Sequence, residues 1–218
     1  MNHHNDLFGI FTPSNFDARA FRNATNATWA IIGLNSAVFA AWQYAQRPEQ
    51  WQLNRRLAKH FMLSWDGIKA GHHYTMITSA FSHQGLKHFA FNMYSLYTLG
   101  SELAWCPAIG GAGMVALAAG SGIMGSFAWL YDRKMKDEAR SRRRTFGSVG
   151  YQALGASGIV SGMSAVATFL NPNASVRMDY LPFDLPQWLA SAAYFLVDVY
   201  GMNDEWSHIG HLAVSTIT

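Results

Sequence analysis

A serine lies in an uncharged stretch of the chain that is otherwise suited only to hydrocarbon. The stretch runs from Val149 to Leu170, and Ser157 stands in it within the tetrapeptide GASG, residues 155–158. Polar groups inside a membrane segment are costly, and they are candidates for functional residues by default. A serine hydroxyl can act as a nucleophile when a base lies within hydrogen-bond reach and when donors face the developing oxyanion. Ser157 is therefore the candidate nucleophile.

Two histidines near the end of the chain could supply the base. His208 and His211 lie in SHIGHLAVSTIT, residues 207–218, a stretch that starts like another membrane segment but is too short to cross. If the apolar segments alternate across a bilayer, this stretch and residues 149–170 begin on the same side. Ser157 and His211 then lie at matching depths, one to two helical turns below that surface. His208 competes for the same role.

Two further polar residues could stabilise an oxyanion. His88 and Asn92 are four residues apart in LKHFAFNMYSLYTLGSELAW, residues 86–105, and this spacing places them on one face of a helix. A histidine donor and an asparagine amide could act there together with the backbone N–H of Ser157. Each also has a structural interpretation, as an interhelical bond for Asn92 and as a satisfied interfacial side chain for His88.

Other polar residues have simpler explanations. Ser161 and Ser164 are expected to bond the preceding carbonyls of their own helix. The nine histidines leave a metal-dependent membrane enzyme as an alternative, but zinc sites need three or four converging ligands, and several of these histidines lie in loops. We therefore predict no metal and no cofactor.

The elements that must position these residues are membrane helices. Half of the 218 residues are hydrophobic and only 13% are charged, against about 25% in ordinary soluble domains. Five segments approach the length of about 20 residues that a span needs: 27–45, 86–105, 108–130, 149–170 and 185–202. We predict an all-α membrane protein in which a polar segment, residues 1–26, precedes a six-helix bundle, residues 27–218, whose last helix is truncated.

Charge predicts the orientation of this bundle. Loops 46–85 and 131–148 share one side and carry most of the arginines and lysines, so the positive-inside rule places that side in the cytoplasm or the mitochondrial matrix. The basic run within residues 133–144 is expected to be a solvated loop, and nothing in it favours nucleic-acid binding. LNRRLAKHFML, residues 53–63, has helical spacing and predicts an interfacial helix.

Glycines favour close approach around the candidate nucleophile. Gly158 and Gly162 form a GxxxG pair, which lets two membrane helices pack closely. Gly155 and Gly158 flank Ser157 and leave room beside it for an imidazole and for a substrate backbone.

Four stretches in this order resemble the rhomboid family of intramembrane serine proteases, and the resemblance covers roughly residues 27–213. They are HQGLKHFAFN (83–92), LGSE (99–102), GASG (155–158) and SHIGHL (207–212). The resemblance implies a six-helix core and a Ser–His dyad without an acidic third member. It makes Ser157 the nucleophile, His211 rather than His208 the base, and His88 and Asn92 part of the oxyanion hole. His83 matches a structural loop histidine of the family.

The segment TSAFSHQGLKHFAFNMYSLYTLGS is most similar to the fungal mitochondrial type. The resemblance implies membrane-protein substrates that contain a transmembrane helix, and a multi-pass location in the mitochondrial inner membrane. The sequons at Asn23, Asn26 and Asn173 keep a secretory-pathway membrane as an alternative.

Three features depart from the family pattern. Val214 stands where a small residue is usual, no aromatic residue occupies position 161, and the sixth helix stops at Thr218. They leave open a catalytically inactive protein that binds transmembrane helices without cleaving them.

Overall fold

The computed structural model describes residues 17–142, 152–176 and 184–204. These ranges contain eight α-helices and one two-stranded antiparallel sheet. The helices are α1 (Ala18–Ala45), α2 (Trp51–Phe61), α3 (Trp65–Lys69), α4 (Thr75–Thr78), α5 (Leu86–Leu103), α6 (Gly110–Arg142), α7 (Ser157–Leu170) and α8 (Gln187–Asp204). The strands are β1 (Ser175–Val176) and β2 (Leu185–Pro186), and 3₁₀ turns lie at Pro48–Gln50 and Ser79–Phe81.

Helices cover most of the predicted spans. Segments 86–105 and 185–202 correspond to α5 and α8, and α2 confirms a helix within the basic stretch after the first span. The first helix begins earlier than residue 27, because the Asp17 carboxylate accepts the N–H groups of Arg19 and Ala20 and caps it. The predicted sixth helix, residues 207–218, lies outside the described residues.

The prediction of a loop from residue 131 was wrong, since α6 continues to Arg142. The sequence from Tyr131 to Arg142 contains neither glycine nor proline, so nothing in it breaks the helix once the apolar stretch ends. Lys136 pairs with Asp132 at 2.9 Å one turn earlier, and the Arg133 guanidinium lies over the Trp129 ring. The first basic residues of this run therefore extend a helix.

The predicted helical start at residue 149 was also wrong, because α7 begins at Ser157. The residues immediately before it are extended: Ala153 exchanges two backbone hydrogen bonds of 2.9 Å with Leu63. Gly155 then turns the chain with a φ of +126°, which side chains rarely allow. Ser157 therefore does not lie two turns inside a helix, and its position is set by the segment that leads to it.

Two pairs of packed helices run antiparallel. The side chain of Thr28 packs on Gly100, and Phe39 stacks on Phe89 with ring centroids 4.2 Å apart, so α1 and α5 are antiparallel. Gly125 meets Gly158 nearly backbone to backbone, while Ser121 lies beside Gly162, so α6 and α7 are also antiparallel. This confirms the close approach predicted from the GxxxG pair.

The bundle buries several polar side chains and exposes many large apolar ones. Asn35 and Asn92 are 0% and 1% exposed, whereas Met124, Phe169 and Phe195 are between 59% and 75% exposed. Buried polar groups with a large apolar exterior are the distribution expected in a bilayer. Of the helices in the described ranges, the Gly110–Ala139 part of α6 has the length and hydropathy of a span, and α7 is apolar but shorter. The helical structure fits an all-α membrane fold.

Candidate active site

Ser157 lies at the point where an extended segment becomes a helix. The segment before it is held by three parts of the chain: Leu63 pairs with Ala153, the Ser79 carbonyl accepts the N–H of Gly155 at 3.0 Å, and His83 accepts the N–H of Ala156. The first backbone bond of α7 runs from the Val160 N–H to the Ala156 carbonyl. The N–H groups in the first turn of a helix have no acceptor within that helix, so a set of donors begins at Ser157.

His88 packs directly against the turn that precedes Ser157. A Cβ atom at position 155 would lie 2.6 Å from Cε1 of His88 and 3.1 Å from its Nε2, so only glycine leaves room for the ring. The sequence interpretation of Gly155 as a residue that makes space was therefore correct, although His88 from α5 occupies that space. The start of α5 and the start of α7 lie at the same end of the bundle.

Asn92 lies one turn after His88 and is fully buried. Its amide Nδ2 donates to the His88 carbonyl at 2.9 Å, and its Oδ1 has no hydrogen-bond partner among the described residues. A primary amide carries two N–H groups, so the second remains available for another acceptor. Met93 and Leu96, on the same helix, pack in one core cluster with Ile159 and Val160 of α7. This packing holds the helix that carries Asn92 against the helix that Ser157 opens.

His83 also contacts the turn that precedes Ser157. Its ring is 0% exposed and lies edge-on to His88, with centroids 5.1 Å apart. Its Nε2 accepts the N–H of Ala156 at 3.2 Å, which requires that nitrogen to be unprotonated. Burial lowers the pKa of His83 to about 3, and the neighbouring His88 lowers it further to a smaller extent. A neutral His83 therefore connects the loop before α5 to the residue that precedes Ser157.

A cluster of hydroxyl groups fastens α8 to α7. The Ser164 hydroxyl donates to Ser191 Oγ at 2.7 Å, Thr168 Oγ1 lies 2.7 Å from the same atom, and Gln187 Nε2 donates to it at 3.3 Å. The expectation that Ser164 bonds its own helix was therefore wrong, because a facing serine on α8 offers a partner. One turn after Ser191 on α8, Tyr194 stacks on Phe91 of α5, with ring centroids 5.4 Å apart.

Three of the four predicted site residues, Ser157, His88 and Asn92, lie in the first two turns of the adjoining helices α5 and α7. His211 and its competitor His208 fall outside the described residues, as does Val214. The contacts of Ser79 and Gly125 were not predicted, because a backbone carbonyl and a glycine in a glycine-rich helix carry no chemical signal of their own. The pattern of Gly122 and Gly125, one turn apart, was the available clue. Within the described ranges, no three His, Cys, Asp or Glu side chains converge in a way that could hold a metal ion.

This arrangement suits acyl transfer. It offers a hydroxyl at a helix start, backbone donors beside it, and an imidazole and an amide on the adjacent helix. Donors that are fixed before the reaction can stabilise an oxyanion without reorganisation. A base for the hydroxyl would complete the set.

The comparisons with known proteins agree with this geometry. The chain matches the Rhomboid domain over residues 70–217. It is 30% identical over 188 residues to Rhomboid protein 1, mitochondrial, of Saccharomyces cerevisiae, covering 86% of this chain and 49% of that protein. It is 29% identical over 204 residues to RHOMBOID-like protein 12, mitochondrial, of Arabidopsis thaliana, covering 86% of this chain and 56% of that protein.

A shorter match joins the chain to Rhomboid-like protein 16, chloroplastic, of Arabidopsis thaliana, at 34% identity over 93 residues, which is 41% of this chain and 27% of that protein. The chain thus spans about half the length, or less, of the curated relatives it matches. No solved structure matches it significantly. The domain match covers more than half of the chain and includes Ser157, His88, Asn92 and His211, so this membrane protein belongs to the rhomboid family, and the relatives that it matches over most of its length are of the mitochondrial type.

Proposed function

We propose that this chain is an intramembrane serine endopeptidase with Ser157 as nucleophile and His211 as general base. The observation that carries the proposal is the position of Ser157 as the first residue of α7, two residues after the glycine against which His88 packs. A serine whose hydroxyl only bonds a carbonyl of its own helix would not need a preceding segment that is held by three distant parts of the chain. It would also not need an imidazole packed against the preceding glycine.

The reaction follows from the roles of these groups. His211 takes the proton of the Ser157 hydroxyl as Oγ attacks the scissile carbonyl carbon, and the carbonyl oxygen becomes an oxyanion. The N–H of Ser157, the second Asn92 N–H and His88 stabilise this charge. As the peptide C–N bond breaks, His211 gives its proton to the leaving amine, and an ester remains on Ser157. Water then hydrolyses the ester and restores the hydroxyl.

Substrates are transmembrane segments of other membrane proteins, because the donors lie in a bundle whose exterior is apolar. Two relatives that match most of the chain are named as mitochondrial, which supports a multi-pass location in the mitochondrial inner membrane. His211 is preferred to His208 on the family pattern of the last helix.

Cleavage of a reporter transmembrane substrate by the purified chain in proteoliposomes tests the proposal. Ser157→Ala removes the nucleophile and is expected to abolish cleavage, whereas Ser161→Ala, one turn later on the same helix, is expected to retain it. His211→Ala should abolish cleavage and His208→Ala should not. Equal cleavage by the unmodified chain and by Ser157→Ala would refute the proposal.

The assay also distinguishes a rhomboid-like protein that binds transmembrane helices without cleaving them. In that case a fluorophosphonate probe would leave Ser157 unlabelled while reporter helices still co-purify with the chain. An active enzyme instead labels at Ser157, and the label is lost in Ser157→Ala.

A further inference from the structure

Helix α2 has two opposite faces. Leu53, Leu57 and Phe61 follow each other at intervals of four residues and pack with Trp42 and Val38 at the end of α1. Because this side of α2 is covered by protein, the helix does not need a bilayer to bury its apolar residues. Its other side remains to be explained.

The other side of α2, together with Arg47 before the turn that leads into it, forms what we call the cationic face, consisting of Arg47, Arg55, Arg56 and Lys59. Arg55 and Lys59 lie one and two turns after Trp51, on the side opposite Leu57, and all four cations are exposed. One carboxylate, Glu49, lies in the same stretch. Within the described ranges the salt bridge present is Lys136–Asp132, and none joins these four cations to a carboxylate.

Aromatic rings accompany two of these cations. The Arg47 guanidinium lies 5.0 Å from the centre of the Tyr44 ring, and that of Arg55 lies 5.8 Å from the centre of the Trp51 ring. Tyr44 and Trp51 are 47% and 48% exposed. Tyrosine and tryptophan favour the depth of lipid headgroups, where an apolar ring and a polar edge are both satisfied.

The contacts of the neighbouring segment place it at the membrane surface. Trp65 Nε1 donates to the Leu130 carbonyl at 3.1 Å, and Ser126 Oγ donates to the Met76 carbonyl at 2.8 Å. In α6 the apolar stretch ends at Tyr131, and charged residues begin at Asp132. The segment that follows α2 is therefore bonded to the turn of α6 at which hydrocarbon gives way to the polar headgroup region.

We propose that the cationic face of α2 binds the phosphate groups of anionic phospholipids. Charge complementarity selects this occupant, since four exposed cations with interfacial aromatic rings lie at headgroup level on an apolar bundle. Each cation near an anionic membrane surface strengthens association about fivefold, so loss of three weakens it by as much as about a hundredfold. The proposal uses none of the proposed catalytic residues and is tested without activity.

Local lipid enrichment around α2 provides the test. A fluorophore is attached at Gln52→Cys on the exposed side of α2, in a Cys106→Ala background, and the full chain is reconstituted into bilayers. Quenching by brominated phosphatidylglycerol is compared with quenching by brominated phosphatidylcholine, which gives the ratio of their association constants at this position. We expect a clear preference for the anionic lipid that weakens between about 0.05 M and about 0.5 M salt as the charges are screened.

Two triple variants that each remove three positive charges distinguish an effect of the cationic face from an effect of the protein's net charge. Arg55→Gln/Arg56→Gln/Lys59→Gln is expected to bring the ratio close to one, while Lys69→Gln/Lys134→Gln/Lys136→Gln leaves it largely unchanged. Substituted residues of the first variant are exposed, and an unchanged circular dichroism spectrum and unfolding midpoint verify its fold. The proposal would be overturned if both variants lost the preference for anionic lipid equally, or if the unmodified chain showed no preference. It would also be overturned if inorganic phosphate displaced the lipid at about its cellular concentration.

Discussion

Replacement of Gly125 by alanine tests whether α6 positions the helix that Ser157 opens. A Cβ atom at position 125 would lie 2.9 Å from the Cα of Gly158, against 3.4–4 Å for an ordinary contact. Because the opposing atom belongs to the backbone, no side-chain rotation relieves the overlap. The two helices must separate by roughly 0.5–1 Å at this crossing, which is the difference between these distances.

The expected cost of that separation is about 1–3 kcal/mol, the usual cost of adding a methyl group to a packed interface. The substitution also gains up to about 1 kcal/mol of helix propensity, since alanine is favoured over glycine within a helix. Gly120→Ala has the same gain without the overlap, because nothing lies within 4 Å of a Cβ atom at position 120. The difference between the two variants therefore isolates the contact.

Unfolding in mixed detergent micelles, followed by circular dichroism, measures this difference. Gly125→Ala should be less stable than Gly120→Ala by about 1–3 kcal/mol. Cleavage of the reporter substrate should fall as well, by up to about a hundredfold, because a displacement approaching 1 Å beside Ser157 misaligns the nucleophile. Equal stability and equal cleavage in the two alanine variants would refute the reasoning that this contact positions α7.

Three further predictions follow from the same site. Gly155→Ala combines a φ of +126° with overlap on His88, so we expect a loss of stability of about 2 kcal/mol or more and loss of cleavage. Adding His88→Ala to this variant should relieve the overlap but not the backbone strain. Full recovery of stability in the double variant would contradict the strain argument. Between pH 6.5 and about 3, His83 is protonated in the unfolded chain but not in the folded chain, because burial lowers its pKa. Acid should therefore lower the unfolding free energy by about 1.4 kcal/mol per pH unit in this range. In a pH titration of stability, His83→Gln should make this dependence less steep. Ser191→Ala should lower the unfolding free energy by about 1 kcal/mol. In a double-mutant cycle it should couple strongly to Ser164→Ala, which removes the partner hydroxyl, and not to Ser161→Ala. Additive effects of Ser191→Ala and Ser164→Ala would disprove the shared bond.

Much of the helical framework could be predicted because it depends on local composition. The apolar stretches of α5 and α8 were correctly located, and the GxxxG pair correctly predicted close packing. The extension of α6 was missed because a rise in charge was interpreted as the end of a helix. Charge ends a membrane span, whereas proline ends a helix, and no proline occurs between Tyr131 and Arg142.

The surroundings of Ser157 could not be predicted in the same way. Residues 149–156 are uncharged, like the helix that follows, so the absence of charge predicted one continuous span. The segment 152–156 is not helical because Leu63, Ser79 and His83 supply its hydrogen-bond partners, and these residues are more than seventy positions away in the chain. No local pattern contains that information.

By itself, the sequence determined which residue types are present for chemistry and which segments are apolar enough to form the bundle, since both depend on side-chain identity and on spacing along one helix. Only the tertiary structure decided that α7 begins at Ser157 and that His88 packs on Gly155. It also decided that Ser164 bonds Ser191 rather than its own helix. These features depend on backbone and side-chain partners from distant segments, and such partners exist only once the helices have packed together.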